Sequence, residues 1–330
     1  PEAYSVNHGS RGLFVALTHN AKHTPGFLHL LPLKGGGEWL HMCIRHQETS
    51  SYLMDEAALD DLIVAALVEE DTRSRLRVRD DGIMVLLKAM RVEGQATPRP
   101  EDMVSMRLWL TPSSVISTRE ADVGPILDIA ARLNADSGPA TPGNFLADLI
   151  EKHLEVVERF VEQMEDETTR IGAMVARYDV DMACPNMSET ETRISGFLRH
   201  LGPQRAVLEI LSDLHHQVLD DRDRARLDDA LARLLRFIEA LQTLRERIDI
   251  LNNQIGRIQD RRLSRSTYIF AAVATIFLPL SFLTGLFGVN LMGLPFSEST
   301  RGFWALAAIC VAIVAVALVV LAVCRWRKWL

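Results

Sequence analysis

The sequence predicts an α+β domain with αβα-like layering, a long helical stalk after it, and two C-terminal transmembrane helices. Three observations carry this reading. Short apolar segments separated by turn residues fill residues 11–118, and a heptad-like apolar seam runs from Leu227 to Ile258. Two stretches then follow, Ser266 to Ser297 and Gly302 to Cys324, without a single Asp, Glu, Lys or Arg. The chain has 330 residues, and one hydrophobic core seldom serves more than about 250, so more than one domain is expected. Boundaries are expected at 1–138, 139–265 and 266–330.

The apolar segments are Gly12 to Leu17, Gly26 to Leu33, Trp39 to Ile44, Gly82 to Met90, Met103 to Leu110 and Val115 to Thr118. Gly35-Gly36-Gly37, Asp80-Asp81-Gly82 and Pro98-Arg99-Pro100 bound them, which marks them as strands. Asp55 followed by residues 56–67 reads as a capped helix among them, and a further helix is expected at about 122–135. Pro139 to Pro142 reads as a linker. Beyond it the chain is helix-compatible to Arg265, with punctuation at Asp181 to Asn186 and at Gly202-Pro203.

In the stalk, Leu227, Leu231, Leu234, Ile238 and Leu241 step by four and three residues. Leu244, Ile248, Leu251, Ile255 and Ile258 resume the pattern after a phase break, as in a long helix packed against others of its kind. At about 1.5 Å per residue, an unbroken helix from Asp221 to Phe287 spans roughly 100 Å. The seam runs into a first span at about 267–287, and a loop at 288–302 leads to a second at about 303–324. Each span is long enough for a bilayer core. Arg257, Arg261, Arg262 and Arg265 precede the first, Arg325, Arg327 and Lys328 follow the second, and the loop holds only Glu298 and Arg301. The positive-inside rule then places both termini in the cytoplasm of a plasma (inner) membrane protein, with Trp304, Trp326 and Trp329 at the interfaces.

Charge divides in the same way. The overall net charge is −7 and the last 66 residues carry +4, which leaves −11 on residues 1–264. So acidic a body disfavours nucleic acid, which selects basic surfaces, and favours the gathering of cations. The length of the chain excludes a small disulfide scaffold, and its four cysteines (Cys43, Cys184, Cys310, Cys324), without C-x-x-C spacing, suggest a reducing compartment. The opening Pro1-Glu2-Ala3-Tyr4 has no signal-peptide pattern. No nucleophile–base pair, P-loop or dinucleotide fingerprint stands out, so neither an enzyme nor a catalytic cofactor is expected.

The first span carries Pro279, Ser281, Thr284 and Gly285, and it ends in Gly288-Val289-Asn290. With two C-terminal spans, a long preceding helix and the closing Lys328-Trp329-Leu330, these residues resemble the CorA superfamily of divalent-cation transporters. Val289, where the magnesium branch has Met, is similar to the zinc-transport (ZntB) branch. So are Glu69-Glu70-Asp71-Thr72-Arg73-Ser74-Arg75 and Pro100-Glu101-Asp102-Met103-Val104-Ser105-Met106-Arg107-Leu108-Trp109. The resemblance implies a CorA-like, funnel-shaped homopentamer in membrane lipid. The first span would line a central pore, and the second would surround it. Zinc is the implied cargo, with magnesium, cobalt, nickel and cadmium as further candidate ions. Five Asn290 carboxamides would face the water shell of an arriving ion, a neutral oxygen ring that does not trap it as carboxylates would.

Stepping inward from Ser281 by three and four residues gives Leu278, Ala274, Phe270 and Thr267. On this reading Leu278 and Phe270 are apolar constrictions and Ser281 and Thr267 hydroxyl rings. The same residues could instead pack against the second span. Glu298 would attract cations outside, and Arg325, Arg327 and Lys328 would form an inner basic ring. His41-Met42-Cys43 with His46, His215-His216, and Asp220-Asp221 with Asp223 are candidate cytoplasmic zinc ligands, each with a packing or solvated alternative. In a strand, 41 and 43 share a face that 46 does not, and adjacent helical histidines diverge by about 100°. The Glu162, Glu165, Asp166 and Glu167 run reads as a wet helix face. Two rival functions remain open, a CorA-like magnesium or cobalt channel and a membrane-anchored coiled-coil scaffold without transport.

Overall fold

In the computed structural model, residues 27–70, 72–91, 99–288, 304, 307–317 and 319 are described. The chain divides into two units, Pro1–Asn252 and Asn253–Leu330. In the first, alternating side chains build six strands: β1 (Phe27–Pro32), β2 (Glu38–Cys43), β3 (Arg75–Arg79), β4 (Gly82–Met90), β5 (Met103–Leu110) and β6 (Ser114–Arg119). They form one mixed sheet in the order β1-β2-β6-β5-β4-β3, in which only β2 and β6 run parallel. The helices are α1 (Gln47–Ser51), α2 (Asp61–Val68), α3 (Gly124–Asn134), α4 (Pro142–Ala176), α5 (Val180–Asp213) and α6 (Asp221–Gly288). The strand expected at Gly12 to Leu17 lies outside the described residues.

All nine residues of β4 are buried, because helices cover both faces of the sheet. On one face Leu40, Met42, Met84, Leu86, Trp109 and Ile116 pack against Tyr52, Leu53, Ile63, Val64 and Leu67. On the other, the Trp39 ring lies 5.0 Å from that of Phe145 on α4, and Gln204 Nε2 of α5 donates to the Lys88 carbonyl at 2.9 Å. The αβα layering expected from the sequence is present.

Three local expectations are corrected. The helix expected from Asp55 is α1 followed by a π-helical turn, Tyr52–Glu56, and then a break at Ala58, whose φ is +47°. Asp60, not Asp55, opens the next helix, its Oδ1 accepting the Leu62 N–H at 2.9 Å. Second, Arg75–Arg79 is an edge strand paired with β4, unforeseen because three arginines mask its alternation. Third, α5 runs through Pro185 and Gly202-Pro203 without a break. Each proline forfeits a backbone hydrogen bond, but buried Ile194, Phe197, Leu201, Val207, Leu208 and Leu211 hold the helix in place. The break comes earlier, at Tyr178, whose φ is +62°. The Pro139 to Pro142 linker ends in a helix start, with the Thr141 hydroxyl accepting the Asn144 N–H at 3.1 Å and Pro142 in the first turn of α4.

In the stalk seam Leu227, Leu234, Leu241, Leu244, Ile248 and Leu251 are buried. Ion pairs flank it, from Arg226 to Asp148 (2.5 Å) and Glu151 (2.7 Å) and from Arg233 to Glu158 (3.1 Å). Between α4 and α5, the buried His153 donates through Nε2 to Gln204 Oε1 at 2.9 Å.

Burial holds the His153 imidazole down at about 4, against an ordinary 6.5. Burial, aided by Arg119, takes His41 to about 3. The unfolded chain therefore binds protons that the fold refuses, and stability rises with pH. On acidification the loss begins below pH 6.5 and runs to about pH 4 for His153 and about 3 for His41. Each group removes up to about 1.4 kcal/mol per pH unit within its window. Melting measured from pH 7 to pH 5 is expected to be less acid-sensitive in His153→Gln than in the native chain. Equal slopes would mean that His153 takes up its proton without loosening the fold.

Candidate ion pathway

Among the described residues, one helix is long and apolar enough to cross a membrane, the C-terminal part of α6, with a mean hydropathy of 1.4 over its most apolar window. Its 68 residues run without interruption through Pro279 to Gly288. A second apolar helix, α7 (Ala307–Ala317), covers the middle of the expected second span. The two helices share a groove of about 480 Å³ lined by Thr275, Ile309, Ala312, Ile313, Val316 and Ala317. The Thr275 hydroxyl is internally satisfied, donating to the Ala271 carbonyl at 2.8 Å.

Most of the apolar part of α6 is exposed, Ile269, Val273 and Phe277 included, and its half-buried residues gather on one side. Tyr268, Ala272, Ile276 and Pro279 are half-buried, whereas Thr267, Phe270, Ala274, Leu278 and Ser281 are all exposed, Phe270 at 74% and Leu278 at 70%. With about 100° per residue, the centres of these two sets lie roughly 160° apart on the helix. The stripe expected to line a pore therefore lies opposite the half-buried side of the helix. The stripe also continues inward past Thr267 to Leu263 and Asp260, both exposed, which the sequence reading did not include. Gly288 is the last residue of α6. Val289, Asn290, Glu298, Arg325, Arg327 and Lys328 lie outside the described residues.

The candidate zinc ligands are engaged otherwise. His41 is buried on β2, its Nδ1 2.7 Å from Ser117 Oγ, and its ring stacks on His29 at a centroid distance of 6.0 Å. The half-buried Cys43 closes the same strand. His215 and His216 sit in the loop before α6 rather than on a helix. His216 accepts the Val218 N–H at Nδ1 (3.2 Å) and so donates from Nε2 to the Arg79 carbonyl (2.8 Å). His215 accepts from Arg224 at Nε2 and donates from Nδ1 to the Asp213 carbonyl. All four ring nitrogens of this pair are thereby in use. Asp220 accepts the Asp223 N–H at 2.7 Å and Asp223 accepts that of Asp220 at 3.4 Å, so the two carboxylates cap α6. Among the described residues, no group of three or more His, Cys, Asp or Glu is placed to hold a metal ion.

A family model described as CorA-like Mg2+ transporter protein matches residues 34–325. The chain belongs to this CorA-like family. It is 28% identical over 292 residues to the zinc transport protein ZntB of Yersinia enterocolitica, an alignment covering 88% of each chain. It is 30% identical over 297 residues to ZntB of Cronobacter sakazakii, again covering 88% of each. The solved structure of the full-length CmaX protein matches with a TM-score of 0.72 and 27% identity over 91% of each chain. The CorA magnesium transporter from Methanocaldococcus jannaschii matches with the same TM-score of 0.72 at 17% identity, covering 86% of this chain and 89% of that one, a likeness of fold. The CorA-like chain is a transporter rather than an enzyme, and the resemblance drawn from Pro279, the glycine-led tripeptide and the two spans is borne out at the level of family.

Proposed function

We propose that this CorA-like chain conducts zinc across the inner membrane as a homopentamer. Its pore is lined by the exposed stripe of α6, and the Gly288-Val289-Asn290 motif stands at the outer mouth. The observation that supports this most is the segregation of α6. Thr267, Phe270, Ala274, Leu278 and Ser281 are exposed on one face of the helix, opposite its half-buried residues, as an inner helix facing a pore would be. A lone two-helix anchor has no need of an ordered stripe with hydroxyls at its two ends and bulky apolar groups around a small central residue. Zinc is preferred to magnesium because Val289 occupies the middle of the tripeptide and because the curated relatives carry zinc in their names. The uncharged span offers no ionisable cage, so zinc passes at least partly hydrated. Glu298 draws cations to the outer mouth, and Arg325, Arg327 and Lys328 ring the inner side.

Purified protein in liposomes, with an internal zinc dye and a parallel magnesium assay, tests this. Zinc flux is expected to exceed magnesium flux and to fall about tenfold in Asn290→Ala, equivalent to about 1.4 kcal/mol of lost ion stabilisation. Dominant magnesium flux would move the reading to a magnesium or cobalt channel. No flux of either ion in verified, oriented vesicles would leave the scaffold.

A further inference from the structure

The pore stripe does not stop at the membrane. From Ser281 inward it steps through 278, 274, 270, 267 and 263 to 260, always by three or four residues, so Asp260 shares a helix face with Thr267, Phe270 and Leu278. Between Asp249 and Glu298, Asp260 is the only acidic residue in the sequence. It is exposed, and among the described residues its side chain makes neither an ion pair nor a hydrogen bond. This is unusual in its setting, because Arg257, Arg261, Arg262 and Arg265 all lie within five residues of it. At about 100° per residue, all four arginine positions fall roughly 100° or more from the centre of the stripe. The helix thus sorts its charge, with four cations away from the stripe and one anion on it.

Asp260 sits seven residues, about 10 Å, inward of Thr267, at the cytoplasmic edge of the apolar section. There a carboxylate keeps its water, which it would not do cheaply among Phe270 and Leu278. We propose that Asp260 is a specificity-determining residue, forming an acidic ring at the inner end of the pore that favours divalent over monovalent cations. This rests on the pentameric pore proposed above. A divalent ion gains twice the Coulomb energy of a monovalent one from the same ring, and five copies of one carboxylate raise its local concentration. Carboxylate oxygens suit zinc and magnesium alike, so the ring selects by charge and leaves the choice between those two ions to the outer mouth.

Zinc flux into liposomes, measured against zinc concentration at low and high potassium, tests the assignment in the full-length protein. The Asp260→Asn, Asp260→Glu and Asp260→Lys variants would each be checked for native assembly by mass. Asp260→Asn is expected to raise the zinc concentration for half-maximal flux about three- to tenfold at low salt, with the gap closing as salt screens the field. Asp260→Glu should behave as the native chain does. Asp260→Lys should lower zinc flux further than Asp260→Asn does. If the native chain carries zinc, Asn290→Ala blocks it, and both Asp260→Asn and Asp260→Lys match the native curve at low salt, the ring is overturned while the pore stands. If the native chain carries no ion, pore and ring fall together.

Discussion

Replacing Phe270 and Leu278 together by alanine is expected to raise zinc leak through the reconstituted protein by about tenfold or more, since each 1.4 kcal/mol removed from a barrier is about a factor of ten. The two side chains are the bulkiest on the stripe, two helical turns apart, with Ala274 between them. In a ring of copies each narrows the path with apolar surface, which an ion crosses only by shedding water or by wetting the constriction. Alanine at both levels widens the path and removes most of the apolar surface. Because both side chains are exposed, the exchange opens no cavity within the chain and the protein should still assemble. The readout is dye-reported zinc entry at zero applied gradient of other ions. Unchanged leak in the double variant, with native Asn290-dependent flux intact, would remove the constrictions from the account and return these residues to a packing role.

The largest stability effect is expected at Arg107. Its side chain is fully buried in β5, where the guanidinium donates to the carbonyls of Glu69 (2.7 Å), Ser105 (3.1 Å) and Glu70 (3.3 Å). Two of these acceptors follow directly on the C-terminus of α2, where free carbonyls gather and a cation is favoured. Burial pulls the Arg107 guanidinium below its ordinary range, while Glu120, Glu69 and Glu70 oppose that shift. Arg107→Ala leaves three carbonyls without their donor and a void under the helix. The expected loss is about 3–5 kcal/mol, or roughly 10 °C in melting temperature. Arg107→Lys should recover only part of it, because an ammonium lacks the planar fork that reaches both strand and helix end. Circular dichroism melting of the purified protein measures both, and a drop of less than about 2 °C in Arg107→Ala would show that water replaces the guanidinium.

What the sequence disclosed follows from how strongly each element depends on its own residues. β4 and β5 were legible because both faces of the sheet are covered, so they read as largely apolar runs, broken only by Lys88 in one and by Ser105 and Arg107 in the other, bounded by Gly82 and Pro100. β3 was not, since its five residues include three arginines and the strand is defined by pairing with β4 rather than by burial. The helix start slipped from Asp55 to Asp60 because both are competent caps, and only tertiary packing around Tyr52 and Leu53 decides between them. Asp220 and Asp223 looked like metal ligands for a related reason, as the carboxylates that cap a helix are those that could bind a cation. Within the candidate pore, three-and-four spacing alone proposes the stripe. Confining that reading to the uncharged stretch ended it at Thr267, one helical step short of Leu263 and two short of Asp260. Arg107 lay in a segment resembling the zinc branch, yet nothing local distinguishes a buried capping arginine from a solvated one.

The arginines of β3 bear on more than recognition of a strand. β3 closes one edge of the sheet, and an edge offers unpaired backbone groups that can template a strand from another molecule. In the homopentamer proposed above, several copies of such an edge would be brought into one assembly. On β3, Arg75, Arg77 and Arg79 alternate with Leu76 and Val78, and residues 77–79 are exposed. Two copies approaching edge to edge would bring like charges into register, which is unfavourable across paired strands. The same alternation that hid β3 from a reading by hydrophobicity would thus guard the proposed assembly against sheet fusion and the aggregation that follows from it.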